Sequence, residues 1–277
     1  MTPEADLKLA RLLGQLPGTP TLMGIVNVTP DSFSDGGRFL TADAAIAEAK
    51  RHVAGGAAII DVGAESTRPG HAPVDAQEER ARLAPVLAAL IASVDVAVSI
   101  DTTKAAIASI ALEAGAAIVN DQWGLQGDPA MAGTVADAGA GLVMMHNRAE
   151  TDPTLDIVDA LRVFFDRSLE IAAAAGIAED RIILDPGIGF GKTKAQNLRA
   201  LGAGVAALAG YHLPVLIGVS RKSLFAALIG KQAPGERLVG TLAANLTALA
   251  RGATVFRVHD CAEHRDAFAV ARAIDDA

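Results

Sequence analysis

Eight short aliphatic runs in this chain of 277 residues each give way to a polar side chain: Asn27, Asp61, Asp101, Asn120, His146-Asn147, Asp185, Ser220 and His259-Asp260. Each alone has an ordinary explanation, since Asn, Asp and Ser form turns and cap helices. Eight together are a set of carboxylates, amides and imidazoles suited to holding a polar ligand. Three further segments add reach and positive charge. Asn27 to Arg38 is long, polar and hinged by Gly36-Gly37, as a loop that closes over a substrate would be. Glu65-Ser66-Thr67-Arg68-Pro69-Gly70 carries an arginine, stiffened by proline, that can grip an anion. Ser220-Arg221-Lys222-Ser223 opens a helical segment, where backbone N–H groups favour anions. No Ser–His–Asp or Cys–His arrangement accompanies them.

The elements that must position these residues follow from periodicity. The aliphatic runs at 22–28, 57–62, 96–100, 116–119, 142–145, 181–184, 215–219 and 254–258 are apolar on both faces, as strands of a helix-covered parallel sheet are. Helical patterns alternate with them, for example at 42–54, 76–92, 104–114 and 155–175. Asp75 with Glu78 resembles a capping box, and Asp128-Pro129 places a capping side chain before a first-turn proline. A weak repeat recurs at Gly56-Ala57, Gly115-Ala116 and Gly252-Ala253: helix stop, small residue, strand, polar group. Eight such units predict one (β/α)₈ barrel over residues 21–277, with residues 1–20 as a short N-terminal arm. All eight polar strand ends then meet on the rim where barrel enzymes place their chemistry.

Composition narrows the function. A formal charge of −8 argues against broad nucleic-acid binding. No apolar stretch reaches the roughly 20 residues that span a bilayer, and the N-terminus lacks a signal-peptide layout, so a cytoplasmic protein is expected. The single cysteine, Cys261, excludes an intrachain disulfide and reads as a small helix-start residue rather than a nucleophile. His52, His71, His212 and His264 fall on helices or loops and are expected to face solvent, and His146 is expected to be a structural strand-end residue.

The segments from Gly24 to Gly37 and from Gly63 to Gly70 resemble the two signature loops of the dihydropteroate synthase family. Ser99-Ile100-Asp101-Thr102, Val119-Asn120-Asp121, Leu184-Asp185-Pro186-Gly187, Ser220-Arg221-Lys222-Ser223 and Arg257-Val258-His259-Asp260 follow in that family's order. The resemblance runs from about Met23 to Asp260 and implies a (β/α)₈ enzyme that joins a hydroxymethyl-dihydropterin diphosphate to 4-aminobenzoate, with Mg²⁺. It implies that Asp185 reads the guanidine-like edge of the pterin, helped by Asp101, Asn120 and Lys222, with Met145, Phe190 and Arg257 against the ring. Asn27, Thr67, Arg68, Arg257, Val258 and His259 would hold the diphosphate, Asn27 also being the protein ligand of Mg²⁺. Phe33, Thr67, Arg68, Pro69, Phe190, Ser220, Lys222 and Ser223 would form the aminobenzoate pocket. Asp35, Asp101, Arg257 and His259 would assist an SN1-like loss of diphosphate. A homodimer is also implied, with the apolar segments 224–229 and 242–249 available for an interface.

Three places depart from the family pattern: Ile188 where an aromatic is common, Trp123 in place of a smaller residue, and Asn147-Arg148 after His146. A methyltetrahydrofolate-dependent methyl transferase would need neither the Arg68 loop nor Arg257-Val258-His259. A non-catalytic pterin-binding paralogue would not need Asn27, Arg68 and Arg257 together.

Overall fold

The computed structural model describes residues 1–16, 19–28, 42–65 and 74–277. Its strands are β1 (Thr21–Asn27), β2 (Ala57–Gly63), β3 (Ala97–Asp101), β4 (Ile118–Asp121), β5 (Gly141–Met145), β6 (Ile182–Asp185), β7 (Leu216–Ile217) and β8 (Val255–Val258). The helices are α1 (Pro3–Leu13), α2 (Ala42–Ala54), α3 (Ala76–Leu83), α4 (Leu87–Ser93), α5 (Ala105–Glu113) and α6 (Met131–Ala138). After them come α7 (Ile157–Ala175), α8 (Lys194–Arg199), α9 (Val205–Ala209), α10 (Ser223–Ile229), α11 (Leu238–Leu249) and α12 (Cys261–Asp275).

Every named strand pairing is parallel, and the order runs β6-β5-β4-β3-β2-β1-β8-β7. A parallel bridge between Leu184 and Val215, with the Leu184 N–H donating to the Pro214 carbonyl at 2.9 Å, joins the two ends. The sheet is thereby closed into the expected (β/α)₈ barrel. Strand side chains alternate between two cores. Outward residues such as Val26, Ile60, Val98 and Phe256 pack under the helices. Inward residues Met23, Ile59, Val143, Ile183, Leu216 and Val255 form the second core with Ala5, Leu9, Leu12 and Leu16. The helix α1 therefore closes the N-terminal mouth of the barrel. It starts at Thr2, whose hydroxyl accepts from the Ala5 N–H at 3.2 Å, and Lys8 Nζ donates to the Val94 carbonyl at 2.9 Å.

Several sequence expectations are corrected. The helix predicted over 76–92 is two helices, α3 and α4, because Pro85 has no N–H to continue the ladder. The fourth strand starts at Ile118 rather than 116, and β7 is only Leu216–Ile217 within the predicted 215–219. His52 and His264 do not face solvent; both are fully buried. His52 Nε2 lies 3.0 Å from the Ile25 carbonyl and Nδ1 lies 3.2 Å from Cys261 Sγ. Its slot exists because residue 24 is glycine: a Cβ there would sit 2.5 Å from the imidazole. His264 donates through Nδ1 to the Asp260 carbonyl at 2.7 Å, which leaves Nε2 to accept from Asn245 at 2.9 Å. Cys261 begins α12, and burial pushes its thiol up to about 12, so it is no nucleophile at neutral pH. His212 is exposed, and His71 lies outside the described residues.

Candidate active site

Two residues beyond the apolar inward layer, the same strands turn polar. Asp101, Asn120, Met145, Asp185, Phe190, Lys222 and Arg257, the seven residues expected to read a pterin, line one small recess at the C-terminal mouth. Met145 is thus at a wall of the recess rather than in the closed core. Gln122 and Gly218 line it too and were not singled out in the sequence.

Each polar group is held by a long-range bond. The Arg257 guanidinium lies between two carboxylates, donating through Nε to Asp61 Oδ2 at 2.6 Å and through a terminal nitrogen to Asp101 Oδ2 at 2.7 Å. Burial alone would lower its pKa, but the two carboxylates carry it above the usual arginine value. Asp61, fully buried, also accepts from Asn120 Nδ2 at 3.2 Å. Asp101 accepts on its other oxygen from Gln122 Nε2 at 2.7 Å. Burial pushes the Asp101 carboxyl up to about 7, against the pull of Arg257. With Arg257 and Gln122 both donating to it, the geometry is that of the ionised form.

Asp185 ends β6 under a tight turn. The Gly187 N–H donates to Asp185 Oδ1 at 2.7 Å, and only glycine fits at 187, where φ is +66° and a Cβ would lie 1.9 Å from the His146 carbonyl oxygen. Burial raises the Asp185 pKa, opposed by that N–H and by Lys222 and Lys192. The turn is held by a residue that sequence reasoning missed. Buried Lys192 donates to the carbonyls of Gly187 at 2.8 Å, Phe190 at 3.0 Å and His146 at 3.3 Å, which uses all three ammonium protons. Burial lowers its pKa to about 7. The Ile188 side chain is buried and does not line the recess; its carbonyl accepts from Lys222 Nζ. Lys222 also lies 4.4 Å above the Phe190 ring centroid, and burial lowers its pKa to about 8 against the attraction of Asp185.

Beside the recess, the half-buried His259 continues the line of Arg257 past the end of β8. Its Nδ1 lies 3.0 Å from Ser220 Oγ, which also accepts from the His259 backbone N–H at 3.2 Å. The Ser220 hydroxyl proton is therefore free to go to Nδ1, leaving Nε2 as the N–H donor. Burial, with Arg221 and Arg257 nearby, lowers the imidazole pKa to about 3, so it is neutral at pH 7. Val258 is fully buried, so only its main chain can face a ligand. Arg221 is committed to Asp260, with Nε 2.9 Å from Oδ2. Ser223 is exposed at the start of α10, and Asn27 is half-buried at the end of β1, paired with Gly63. His146 turns away from the recess and packs edge-on against Phe164, with ring centroids 4.8 Å apart; burial lowers its pKa to about 3. Phe33, Asp35, Thr67, Arg68 and Pro69 lie outside the described residues.

Among the described residues, no group of three His, Cys, Asp or Glu side chains is placed to hold a metal ion. What Asn27 offers is one amide oxygen at the rim. Such a donor suits Mg²⁺, which keeps most of its waters and is commonly held through substrate phosphates.

The chain matches the family described as pterin binding enzyme over residues 23–259. It is 43% identical over 239 residues to a dihydropteroate synthase of Bacillus subtilis, covering 86% of this chain and 83% of the relative. It is 46% identical to a probable bifunctional folylpolyglutamate synthase/dihydropteroate synthase of Haloferax volcanii, covering 92% of this chain but 30% of that longer protein. Among solved structures, the dihydropteroate synthase of Xanthomonas albilineans with 4-aminobenzoic acid superposes with a TM-score of 0.89 at 40% identity, covering 94% of each chain. The same organism's enzyme in complex with 7,8-dihydropteroate gives a TM-score of 0.86 at 39% identity, covering 94% of this chain and 95% of the other.

Proposed function

The chain belongs to the pterin-binding enzyme family, among its dihydropteroate synthases, and from that premise we propose how its rim carries out the condensation. The substrates are (7,8-dihydropterin-6-yl)methyl diphosphate and 4-aminobenzoate, and the products 7,8-dihydropteroate and pyrophosphate. The single observation that carries the residue assignment is the recess that gathers Asp101, Asn120, Met145, Asp185, Phe190, Lys222 and Arg257.

The pterin edge, a row of N–H donors, meets Asp185 as a paired acceptor, with Asn120 beside it. Lys222 donates to the ring's acceptor atoms, and Met145 with Phe190 supplies apolar surface. The diphosphate extends along β8 toward His259. There Arg257 supplies fixed charge and neutral His259 donates its Nε2 proton as negative charge collects on the leaving oxygen. Asn27 would hold Mg²⁺, which would supply positive charge against the diphosphate. The ring nitrogens release electron density into the exocyclic methylene, so its bond to oxygen breaks ahead of attack by the amine. Asp101 and Asp185 favour the transient cation by charge. The arylamine attacks as the neutral base and loses its proton to water or to the departing diphosphate, so no strong general base is needed.

Aminobenzoate fits between the start of α10, with Ser220, Lys222 and Ser223, and Phe190; Phe33, Thr67, Arg68 and Pro69 complete this assignment on the family resemblance alone. Asp35 is assigned on the same ground to the transient cation. A cytoplasmic location belongs to the proposal, and none of the described helices is long and apolar enough to cross a membrane. A homodimer does too, supported by the exposed Leu228, Ile229 and Val239 on α10 and α11.

The test is pyrophosphate release with both substrates and Mg²⁺. Release is expected to depend on 4-aminobenzoate and to stop when a chelator removes Mg²⁺. Equal release without the arylamine would mark a hydrolase, and no release at all a binding protein.

A further inference from the structure

Asp61 lies under the recess without lining it. Its carboxylate is fully buried, and Oδ2 accepts from two recess residues at once: Arg257 Nε at 2.6 Å and Asn120 Nδ2 at 3.2 Å. An ionised carboxylate only accepts, so the bond to Asn120 fixes which end of that amide points down. The nitrogen must face Asp61, and the amide oxygen is left for the recess. An asparagine without such a partner could present either end, and would read a donor edge and an acceptor edge about equally. The second bond holds Arg257 by its Nε edge, so that the guanidinium spans Asp61 and Asp101 rather than swinging into the space a ring would occupy.

We infer that Asp61 is a positioning residue for pterin recognition: it sets the amide of Asn120 as an acceptor and pins Arg257, without touching substrate. The inference rests on the pterin assignment above. It also accounts for a carboxylate placed where no ligand can reach it, on a strand whose other inward residues are Ile59 and Gly63.

The test uses hydroxymethyl-dihydropterin without its diphosphate, titrated calorimetrically into the full-length protein, so that the Asn120 arm is read apart from diphosphate binding. Asp61→Asn keeps the shape but adds a donor that permits the Asn120 amide to turn over. It is expected to weaken pterin binding about tenfold or more, since a hydrogen bond to a charged group is at stake. The KM for 4-aminobenzoate should move less than about threefold, because that ligand does not use Asn120. In an Asn120→Ala background the same substitution should cost clearly less, because one of the two partners it acts through is gone. Asp61→Ser, which removes the charge and shortens the side chain, is the second variant and should show the same pattern if Asp61→Asn folds poorly. Unchanged pterin affinity in a folded variant would overturn the inference, as would equal losses in the two backgrounds. If the wild-type protein itself fails to bind the pterin, the family-based assignment falls first, and this inference with it.

Discussion

The two halves of the barrel interior are built on one alternation of side chains and do opposite work. In the lower half, Ile59, Val143, Ile183, Leu216 and Val255 pack against Leu9 and Leu12 of α1. Two residues later on the same five strands stand Asp61, Met145, Asp185, Gly218 and Arg257. One inward step, about 6.6 Å along a strand, separates an apolar plug from a recess crossed by ion pairs. The lower layer gains stability from burial. The upper layer gives some of it up, since Asp101, Lys192 and Lys222 are held with pKa values displaced by burial toward their neutral forms. On the proposed assignment, binding and stability are separated along the strand axis.

That separation can be broken from either side. In the lower half, Leu9→Ala should cost about 2–4 kcal/mol in urea unfolding, the usual range for a buried leucine, while pterin affinity stays within about twofold. A parallel collapse of affinity would show that the two layers are one unit. In the upper half, Arg257→Ala should weaken binding of the pterin diphosphate about 100-fold, the loss of a charge-assisted contact of roughly 3 kcal/mol. Free pterin should lose much less, and equal losses in the two titrations would remove Arg257 from the diphosphate assignment. The smallest effect, taken per pH unit, comes from titration. Buried His146 stays neutral in the folded protein down to about 3, whereas the unfolded chain protonates it near 6.5. Below 6.5 the unfolded state therefore binds more protons, and stability falls as pH drops from 6.5 toward 3, by at most about 1.4 kcal/mol per unit for this residue. Asp101, whose carboxyl is pushed up to about 7, works in the opposite sense over an overlapping range. The readout is accordingly the slope of wild type minus that of His146→Gln, which should be positive; identical slopes would mean that His146 titrates normally.

The barrel was legible because strand ends are local. A run of aliphatic residues stopping at Asp185 or Asn120 is visible in five or six letters, and eight of them define a rim. Pro85 was equally visible and should have divided the helix predicted over 76–92. What stayed hidden depends on partners far away in sequence. Asp61 and Arg257 are 196 residues apart, so nothing local marks Asp61 as more than a turn former. Lys192 looks like a surface lysine until the fold carries the His146 and Gly187 carbonyls to it. His52 is buried because Gly24, on another element, leaves a slot for its ring. Pattern locates inward positions, while the ring of supporting bonds beneath them is written in tertiary contacts.

The proposed division is that the upper layer reads the pterin while the lower layer holds the barrel together. It is tested most directly by titrating free hydroxymethyl-dihydropterin into Asp185→Asn and unfolding the same preparation in urea. Replacing the paired acceptor should reduce affinity by about 100-fold or more, with the unfolding free energy within about 1 kcal/mol of wild type, as expected where a carboxylate already strained by burial is neutralised. Undiminished affinity, or a loss of affinity that only follows a collapse in stability, would contradict it.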